Sequence, residues 1–461
     1  MVRGAGKRVD QGAPEAPVNW SPQESAIDQA VLKVLAETGV PSASIAVSQN
    51  GELYARAYGN ARLNPPVAAT PEMRYKIASN GKQITAAAVL LLVEEGRLSL
   101  DDAVARFFPD LTRAREITIR QLLAHTSGYR DYYSLDYVAQ PMGRDTTTEV
   151  ILDGWAKIPL DFEPGARWQY SNTNYVIAGR ILETVAGTPL REFLRARFFG
   201  PLGMRSVIDV HHDDWNPEDA CGYRQFALGL PREAGPEGKG WMYAMGDLAM
   251  TAGDLATWSR ALMEGAVLRP ESLRELTTEV RLAGGSGTKY GLGLQIGTTA
   301  NGNRRWSHGG GTAGFVSRNT IYPDDSASIT VLTNGEGLAA ETIAGKIEEL
   351  VIGAVADPDA PAALERAKTM FAGLQNGKPD SALMNDDLRA YFTPQAIADY
   401  AASLKPLGAP ESFTAESRQD RGGMTHRSFS VKTAKKSLRV STYVTRDGKF
   451  AQFLVTPLGC D

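Results

Sequence analysis

Apolar and polar residues alternate along residues 42–58, and the alternation is interrupted at Asn50-Gly51. Alternation places the apolar side chains on one face of a strand, and Asn-Gly favours the backbone of a tight hairpin turn. The pattern therefore predicts two antiparallel strands here. Similar segments late in the chain predict an antiparallel meander over residues 290–296, 304–308, 314–322 and 327–333.

Between these two groups of strands, apolar residues recur with helical spacing. The strongest such segment covers residues 80–95, is apolar on nearly all sides, and is followed by Gly96, a residue that favours the end of a helix. It is predicted to be a buried helix. Further helices are predicted at residues 22–38, 119–124, 148–156, 175–185, 190–199, 252–263 and 340–355.

The order of elements predicts an α+β fold in which an antiparallel sheet is flanked by helices. Towards the C-terminus, two helical segments, 362–375 and 386–403, precede three or four short alternating runs, which predicts a separate small α+β domain. The expected organisation is a flexible tail over residues 1–20, a main domain over 21–356, a linker over 357–361 and an accessory domain over 362–461.

Composition and charge narrow the function classes. The chain has 461 residues, of which 43% are hydrophobic, so it can bury a sizeable core. With 49 Lys plus Arg against 53 Asp plus Glu, it lacks the basic excess typical of nucleic-acid binders. Two cysteines, Cys221 and Cys460, exclude a disulfide scaffold. The longest apolar run, residues 84–93, is too short for a membrane span of about 20 residues.

The N-terminal segment bears on localisation. It lacks the apolar core of a signal peptide. Export after removal of a signal peptide, to the periplasm or outside the cell, and a cytoplasmic location therefore both stay open.

The first candidate for chemistry is Ser79-Asn80-Gly81-Lys82, at the start of the predicted buried helix. Residues i and i+3 share a helix face, so the Ser79 hydroxyl and the Lys82 amine can meet. An amine desolvated among apolar side chains can lose its charge and take the hydroxyl proton. The motif also occurs by chance, as at residues 286–289 of this chain, and Ser79 could serve only as a helix cap.

Two more motifs follow in the chain. Tyr170-Ser171-Asn172 lies in a predicted loop, where a tyrosine can relay a proton if a nearby ammonium lowers its pKa, and an asparagine can bind a substrate amide. His308-Gly309-Gly310-Gly311 follows a predicted strand. Its glycines would let a substrate backbone approach, and its histidine could handle a proton. Taken alone, each motif is also compatible with an ordinary turn.

In this order, Ser-x-x-Lys, Tyr-x-Asn and His-x-Gly resemble the motifs of the serine β-lactamase and penicillin-binding protein superfamily. The resemblance is strongest to the branch with class C β-lactamases, DD-carboxypeptidases, D-aminopeptidases and esterases. It covers about residues 22–355 and also includes the segments RYKIASNGK at 74–82, VEEGRLSLDD at 93–102 and QLLAHTSG at 121–128.

The resemblance implies roles for individual residues. Ser79 would be the nucleophile that forms an acyl-enzyme, and Lys82 and Tyr170 would manage its proton, with the identity of the base left open. Asn172 would orient the substrate together with Gly309, Gly310 and Gly311. The N–H groups of Ser79 and Gly311 would form the oxyanion hole. His308 would complete the catalytic group, and neither a metal nor a cofactor is expected.

The resemblance implies a cofactor-free serine hydrolase, with a peptidase or amidase acting on D-amino-acid or peptide substrates favoured. A carboxylesterase using the same site is the alternative, and a non-catalytic binding or assembly protein that kept the fold is the alternative from another class. β-Lactamases of this branch carry Lys-Thr-Gly where this chain has His308-Gly309-Gly310, which argues against efficient antibiotic hydrolysis.

Three further features are of secondary importance. The accessory domain resembles the nuclear-transport-factor-2-like fold by element order, with a lipocalin-like barrel as the rival, and could build a homo-oligomer. The segment His211-His212-Asp213-Asp214 is predicted to be a solvated loop rather than a metal site. Aromatic residues expected as pocket walls are Tyr129, Tyr132, Tyr133, Trp241, Tyr243 and Trp306.

Overall fold

The computed structural model describes residues 20–133, 139–212, 215, 218–227, 229–235, 237–299, 301–353, 359–421, 424–445 and 447–457. The chain divides into two compact units, Met1–Val355 and Ala356–Asp461. Apart from Trp20, the predicted tail lies outside the described residues. So do residues 357 and 358 of the predicted linker, whereas Ala360 and Pro361 already belong to a helix.

The first unit is organised around an antiparallel sheet whose strands come from both ends of the unit. They are β1 (Ser42–Gln49), β2 (Glu52–Leu63), β3 (Pro66–Ala68), β9 (Gln295–Thr298), β10 (Arg304–Thr312), β11 (Phe315–Tyr322) and β12 (Ala327–Thr333). Their order is β3-β2-β1-β12-β11-β10-β9, so the early and late strands meet at the β1–β12 pair. Asn50 and Gly51 adopt φ angles of 50° and 86°, as the predicted hairpin turn requires.

Helices cover both faces of this sheet. Along β1, Ala43, Ile45 and Val47 pack into one apolar cluster, while Ala46 between them packs into another. This alternation follows from the two-residue period of a strand. The helices of the unit are α1 (Ser21–Thr38), α2 (Gly81–Glu94), α3 (Ile119–Leu123), α4 (Thr148–Ile151), α5 (Asn172–Ala186), α6 (Leu190–Leu194), α7 (Gly200–Leu202), α8 (Tyr243–Gly246), α9 (Ala252–Met263), α10 (Pro270–Thr277) and α11 (Ala339–Glu348).

Five short strands lie between the long ones along the chain. They are β4 (Tyr75–Lys76), β5 (Ile208–Asp209), β6 (Tyr223–Arg224), β7 (Arg232–Glu233) and β8 (Leu248–Met250). β4, β8 and β5 form a three-stranded sheet with β8 in the centre. The N–H of Ile77 continues this pairing by donating to the carbonyl of Leu248 at 3.0 Å. The turn that carries Ser79 is thereby tied to the chain around residue 248.

The predicted α+β architecture is confirmed, with three local corrections. Regular pairing of the predicted strand 290–296 begins only at Gln295. The glycines after His308 lie inside β10, because the strand continues to Thr312 rather than ending at the histidine. α4, α6 and α11 end in wider turns, at Leu152–Ala156, Arg195–Phe199 and Glu349–Gly353.

The second unit is a small α+β arrangement. Its four strands form an antiparallel meander, and its helices supply the other half of an apolar core that includes Phe371, Phe429 and Phe453. The predicted helix 386–403 is broken in two because Pro394 begins a new helix. The elements are α12 (Ala360–Gln375), α13 (Asp386–Tyr391), α14 (Pro394–Leu404), β13 (Ser412–Arg421), β14 (Met424–Lys432), β15 (Ser437–Val444) and β16 (Phe450–Pro457).

The nuclear-transport-factor-2-like assignment of the second unit stays a prediction. Within the described part of the chain, no helix combines the length and the apolar character needed to cross a membrane.

Candidate active site

Ser79 lies in the turn Ala78–Asn80, which leads directly into the buried helix α2. From the first turn of that helix, the Nζ of Lys82 reaches back to 2.9 Å from the Oγ of Ser79. The same Nζ lies 2.9 Å from the carbonyl oxygen of Met245. The helical spacing of the motif thus places the amine against the hydroxyl and fixes it from a second side.

The Lys82 side chain is fully buried. Burial lowers the pKa of its amine well below the ordinary value, and the negative charge of Asp131 opposes this shift only in part. A neutral amine has a lone pair, so it can accept a proton from Ser79 while an N–H still donates to Met245. The lowered pKa makes Lys82 a better acceptor for the Ser79 proton than an ordinary lysine would be.

Tyr170 lies beside this pair. The centre of its ring is 5.0 Å from the Nζ of Lys82, and the Ser79 hydroxyl is close enough to influence the pKa of its phenol. Burial raises the pKa of Tyr170, and the interaction with the Ser79 side chain lowers it only in part. Burial outweighs this interaction because it penalises the phenolate, and the relay role predicted for Tyr170 stays a prediction. Tyr170 therefore keeps its proton.

Asn172 begins α5 and lines the same cavity. Its Nδ2 donates to both carboxylate oxygens of Asp131, at 3.1 and 3.2 Å, and to the carbonyl of Tyr133 at 3.4 Å. Its Oδ1 is buried and accepts no hydrogen bond among the described residues. The amide group is therefore held with its oxygen available to accept from a ligand N–H.

The glycines of β10 let the strand lie against the turn that carries Ser79. A Cβ at Gly310 would lie 2.2 Å from the carbonyl oxygen of Ile77 and 3.0 Å from the nitrogen of Ser79, so a side chain has no space. Gly311 is exposed and lines the cavity together with Ser79, as expected for two oxyanion-hole donors. Gly309 and Gly310 are not among its described lining residues.

His308 is buried behind this strand. Its Nδ1 donates to the carbonyl of Gly309, and its Nε2 lies 2.9 Å from the hydroxyl of Tyr290. Burial is the main reason that the His308 pKa is lowered to about 3. The ring is therefore neutral at physiological pH, with Nε2 accepting from Tyr290. Its centre is 6.1 Å from that of the Tyr170 ring, so its contacts suit positioning rather than proton transfer.

The motifs surround a cavity of about 470 Å³. Its apolar side includes Met245, Phe315, Val316 and Leu338, and its one described carboxylate is Glu336. No lysine or arginine lines it within the described residues.

Of the aromatic residues expected as pocket walls, Tyr133 alone lines this cavity. The expectation is wrong for four others, which are buried in the core: Tyr129, Tyr132, Trp241 and Trp306. Tyr243 lines a different cavity.

Sequence reasoning missed several residues whose roles depend on tertiary contact. Asp131 holds Asn172 and faces Lys82, and Met245 fixes the Lys82 amine. Glu237 pairs with Lys76 at 3.2 Å, accepts from the N–H of Ala313 at 2.7 Å and accepts a hydrogen bond from the hydroxyl of Thr312. Each of these residues is far along the chain from its partner, so no sequence motif could predict the contact.

Comparison with known proteins places the chain in a family. The β-lactamase family model matches residues 27–352, which is most of the chain, so the chain belongs to the β-lactamase family. It is 25% identical over 391 residues to penicillin-binding protein 4* of Bacillus subtilis, a match that covers 79% of this chain and 84% of that one. The superfamily predicted from the motifs is therefore confirmed.

Solved structures agree with this assignment. A D-stereospecific amidohydrolase from Streptomyces sp. is 28% identical, with a TM-score of 0.62 over 70% of this chain and 97% of its own. The octameric penicillin-binding protein homologue from Pyrococcus abyssi shares the fold over 95% of this chain and 96% of its own, with a TM-score of 0.64 and 20% identity. At the coarse level, the family and its neighbours support a serine hydrolase of the amidase type.

Proposed function

We propose that the protein is an amidase that cleaves small aminoacyl amides or peptides, with a preference for D-configured substrates, through an acyl-enzyme on Ser79. The observation that carries this proposal is the buried Lys82 amine 2.9 Å from the Ser79 hydroxyl. The D-stereospecific amidohydrolase among its structural neighbours supports the amide and the stereochemical preference.

In the acylation step, Lys82 takes the proton of Ser79 as the Oγ attacks the amide carbonyl carbon. The oxygen of that carbonyl becomes negative between the N–H groups of Ser79 and Gly311, where preorganised donors stabilise it. When the C–N bond breaks, the leaving nitrogen takes a proton from Tyr170, and the Lys82 ammonium restores it. These assignments make Lys82 the base and Tyr170 the proton donor.

Deacylation repeats these proton transfers with water as the nucleophile. Water gives a proton to Lys82 as its oxygen attacks the acyl carbon. The Ser79 Oγ then leaves and recovers its proton. The products are the free acid and the unchanged enzyme, so no cofactor enters the balance.

The charge of the cavity supports a substrate with a free amino group. Glu336 is its described carboxylate, and Oε1 already accepts from the N–H of Gly314 at 3.3 Å and lies 3.8 Å from Arg224. Oε2 is the oxygen we assign to a substrate ammonium. His308 is neutral and no described lining residue is cationic, so the site suits a substrate without a carboxylate near the scissile bond. The apolar side of the cavity suits an aliphatic or aromatic substrate side chain.

A substrate panel tests this proposal. The kcat/KM values are compared for three amides: D-phenylalaninamide, its L-enantiomer and N-acetyl-D-phenylalaninamide. The ester p-nitrophenyl acetate is measured alongside them. We expect the free D-amide to exceed its N-acetyl form by about tenfold or more, because a hydrogen bond to a charged group contributes about 1.5–3 kcal/mol. Hydrolysis confined to the ester would favour the carboxylesterase instead.

Two variants separate the elements of the proposal. Glu336→Gln is expected to remove the preference for the free amine while ester hydrolysis is kept, and Ser79→Ala is expected to abolish both activities. Ser286→Ala, which changes the exposed serine of the second Ser-x-x-Lys sequence, is the matched control. An unchanged amine preference in Glu336→Gln would contradict the role given to that carboxylate.

We also propose that the chain forms a homo-oligomer. The support is the octameric state of the penicillin-binding protein homologue from Pyrococcus abyssi, which shares the fold over 95% of this chain. Light scattering coupled to size-exclusion chromatography of the full chain tests this. A mass equal to one chain at all accessible concentrations would contradict it.

A further inference from the structure

Three potential metal ligands meet outside the catalytic cavity. Asp209 ends β5, His212 follows it three residues later, and Asp247 stands just before β8. Each residue offers one ligand atom, and these three atoms lie within 4.8 Å of one another. The Nδ1 of His212 is 2.9 Å from Oδ1 of Asp209. The segment predicted to be a solvated loop is therefore partly folded against a buried carboxylate, while Asp213 and Asp214 lie outside the described residues.

Asp247 supplies an independent sign of a ligand. It is only 7% exposed, and its Oδ1 is buried without a hydrogen-bond partner among the described residues. Leaving a buried carboxylate oxygen unsatisfied costs free energy. Asp209, His212 and Asp247 all line one cavity of about 230 Å³, so the residue that holds this oxygen stands beside a space that a small ligand can enter.

The surroundings of the group also match those of a metal site. The Nδ1 of His211 lies 3.2 Å from Oδ2 of Asp247, and the His211 side chain is 8% exposed. The N–H of His211 donates to Oδ1 of Asp209 at 3.1 Å. Ligand carboxylates in metal sites are usually held by such neighbours, which fix their orientation.

We propose that Asp209, His212 and Asp247 form a binding site for one divalent transition-metal ion of the Zn²⁺ type. One imidazole and two carboxylates suit this ion better than Mg²⁺ or Ca²⁺, which take mainly oxygen ligands. Metal–ligand bonds of about 2.0–2.2 Å in a tetrahedral site place ligand atoms about 3.3 Å apart, and the ligand atoms of these three residues lie within 4.8 Å of one another.

The site has a structural role. Asp247 stands two residues after Met245, whose carbonyl accepts from Lys82, and Leu248 pairs with Ile77 beside the nucleophile turn. An ion held by Asp247 and by the Asp209–His212 turn would join β5 to the segment that supports Lys82. The ion takes no part in the proposed acyl transfer.

Metal binding by the full chain tests the proposal. The protein is treated with EDTA, desalted, and titrated with Zn²⁺ by calorimetry and with Co²⁺ by visible absorption. We expect one equivalent of Zn²⁺ per chain, tetrahedral Co²⁺ bands, and a raised Tm with Zn²⁺. His212→Gln, which changes an exposed residue, and Asp247→Asn are each expected to weaken binding at least tenfold.

Controls separate this site from adventitious binding. His426→Gln, in the second unit, is expected to keep the full stoichiometry. If Asp247→Asn fails to fold, Asp209→Asn replaces it as the carboxylate variant. Absence of Zn²⁺ binding, or loss in His212→Gln together with retention in the folded carboxylate variant, would overturn the proposal, because the latter result indicates a single surface histidine.

Discussion

The Nζ of Lys82 lies 2.9 Å from the Oγ of Ser79 in a place where burial lowers the pKa of the amine well below its ordinary value. Lys82→Ala is expected to lower kcat/KM by about 10²–10⁴-fold, because positioned general bases contribute that much. Lys82→Arg should not restore activity, since a guanidinium stays protonated. Steady-state kinetics measure both, with the exposed Lys289→Ala as control. Near-normal rates in Lys82→Ala would contradict its role as base.

Asp131 contributes to the pH range in which Lys82 acts as a base. Burial lowers the Lys82 pKa and the Asp131 charge raises it, so Asp131→Asn is expected to lower that pKa further. The acid limb of the kcat/KM profile, where Lys82 becomes protonated and inactive, should then move to lower pH. A pH–rate series from about pH 4 to 9 measures the shift. Asp161→Asn should leave the limb in place, and a limb that moves to higher pH in Asp131→Asn would contradict the assignment.

Gly310 is required by space rather than by backbone conformation. Gly310→Ala would push a Cβ to 2.2 Å from the Ile77 carbonyl, and overpacking of this kind costs about 1–3 kcal/mol of unfolding free energy. At Gly311 a Cβ meets nothing within 4 Å, so Gly311→Ala should change stability by less than about 0.5 kcal/mol. Denaturant unfolding compares the two variants. Equal stability losses would show that β10 does not approach Ile77 this closely.

Glu237 stabilises the end of β10 through charge. Burial raises its pKa, but Lys76 together with the Ala313 and Thr312 donors outweighs burial and lowers it. A lowered carboxyl pKa contributes stability above the unfolded-state pKa, and this contribution is lost as the pH falls through the folded-state pKa. Glu237→Gln should therefore lower the Tm at neutral pH and do so less in acid.

The size of the Glu237→Gln effect follows from its partner. Removing one member of a buried pair costs about 3–5 kcal/mol, because the other charge is left uncompensated. Lys76, whose side chain is 13% exposed, is that partner. The double variant Glu237→Gln/Lys76→Met should recover part of the loss in thermal unfolding. A fully additive loss would contradict direct coupling of the two charges.

The elements that could be predicted from the sequence are those with a local hydrophobic pattern or turn signal. The hairpin at Asn50-Gly51 and the buried helix after Ser79 follow from local pattern, and the spacing of Ser79 and Lys82 follows from the helix. The course of β10 through its glycines was not predicted, because a strand rich in glycine owes its pairing to neighbours such as β11 rather than to propensity. Pro394 was visible in the sequence, yet the helical pattern on both sides concealed the break.

Residues that depend on distant contacts could not be predicted. Met245 contributes a backbone carbonyl, which any residue type would provide, so its identity contains no signal. Asp131 reaches Asn172 across 41 positions, and Glu237 reaches Ala313 across 76. Whether Lys82 as a neutral amine or Tyr170 as a phenolate acts as the base depends on burial, which only the folded structure supplies.

Covalent trapping of the nucleophile tests the central claim most directly. The full chain is mixed with a fluorophosphonate, and the modified peptide is identified by mass spectrometry. We expect one adduct per chain on Ser79, none in Ser79→Ala, and an unchanged adduct in Ser286→Ala. An adduct on another residue, or amide hydrolysis that persists in Ser79→Ala, would contradict the account.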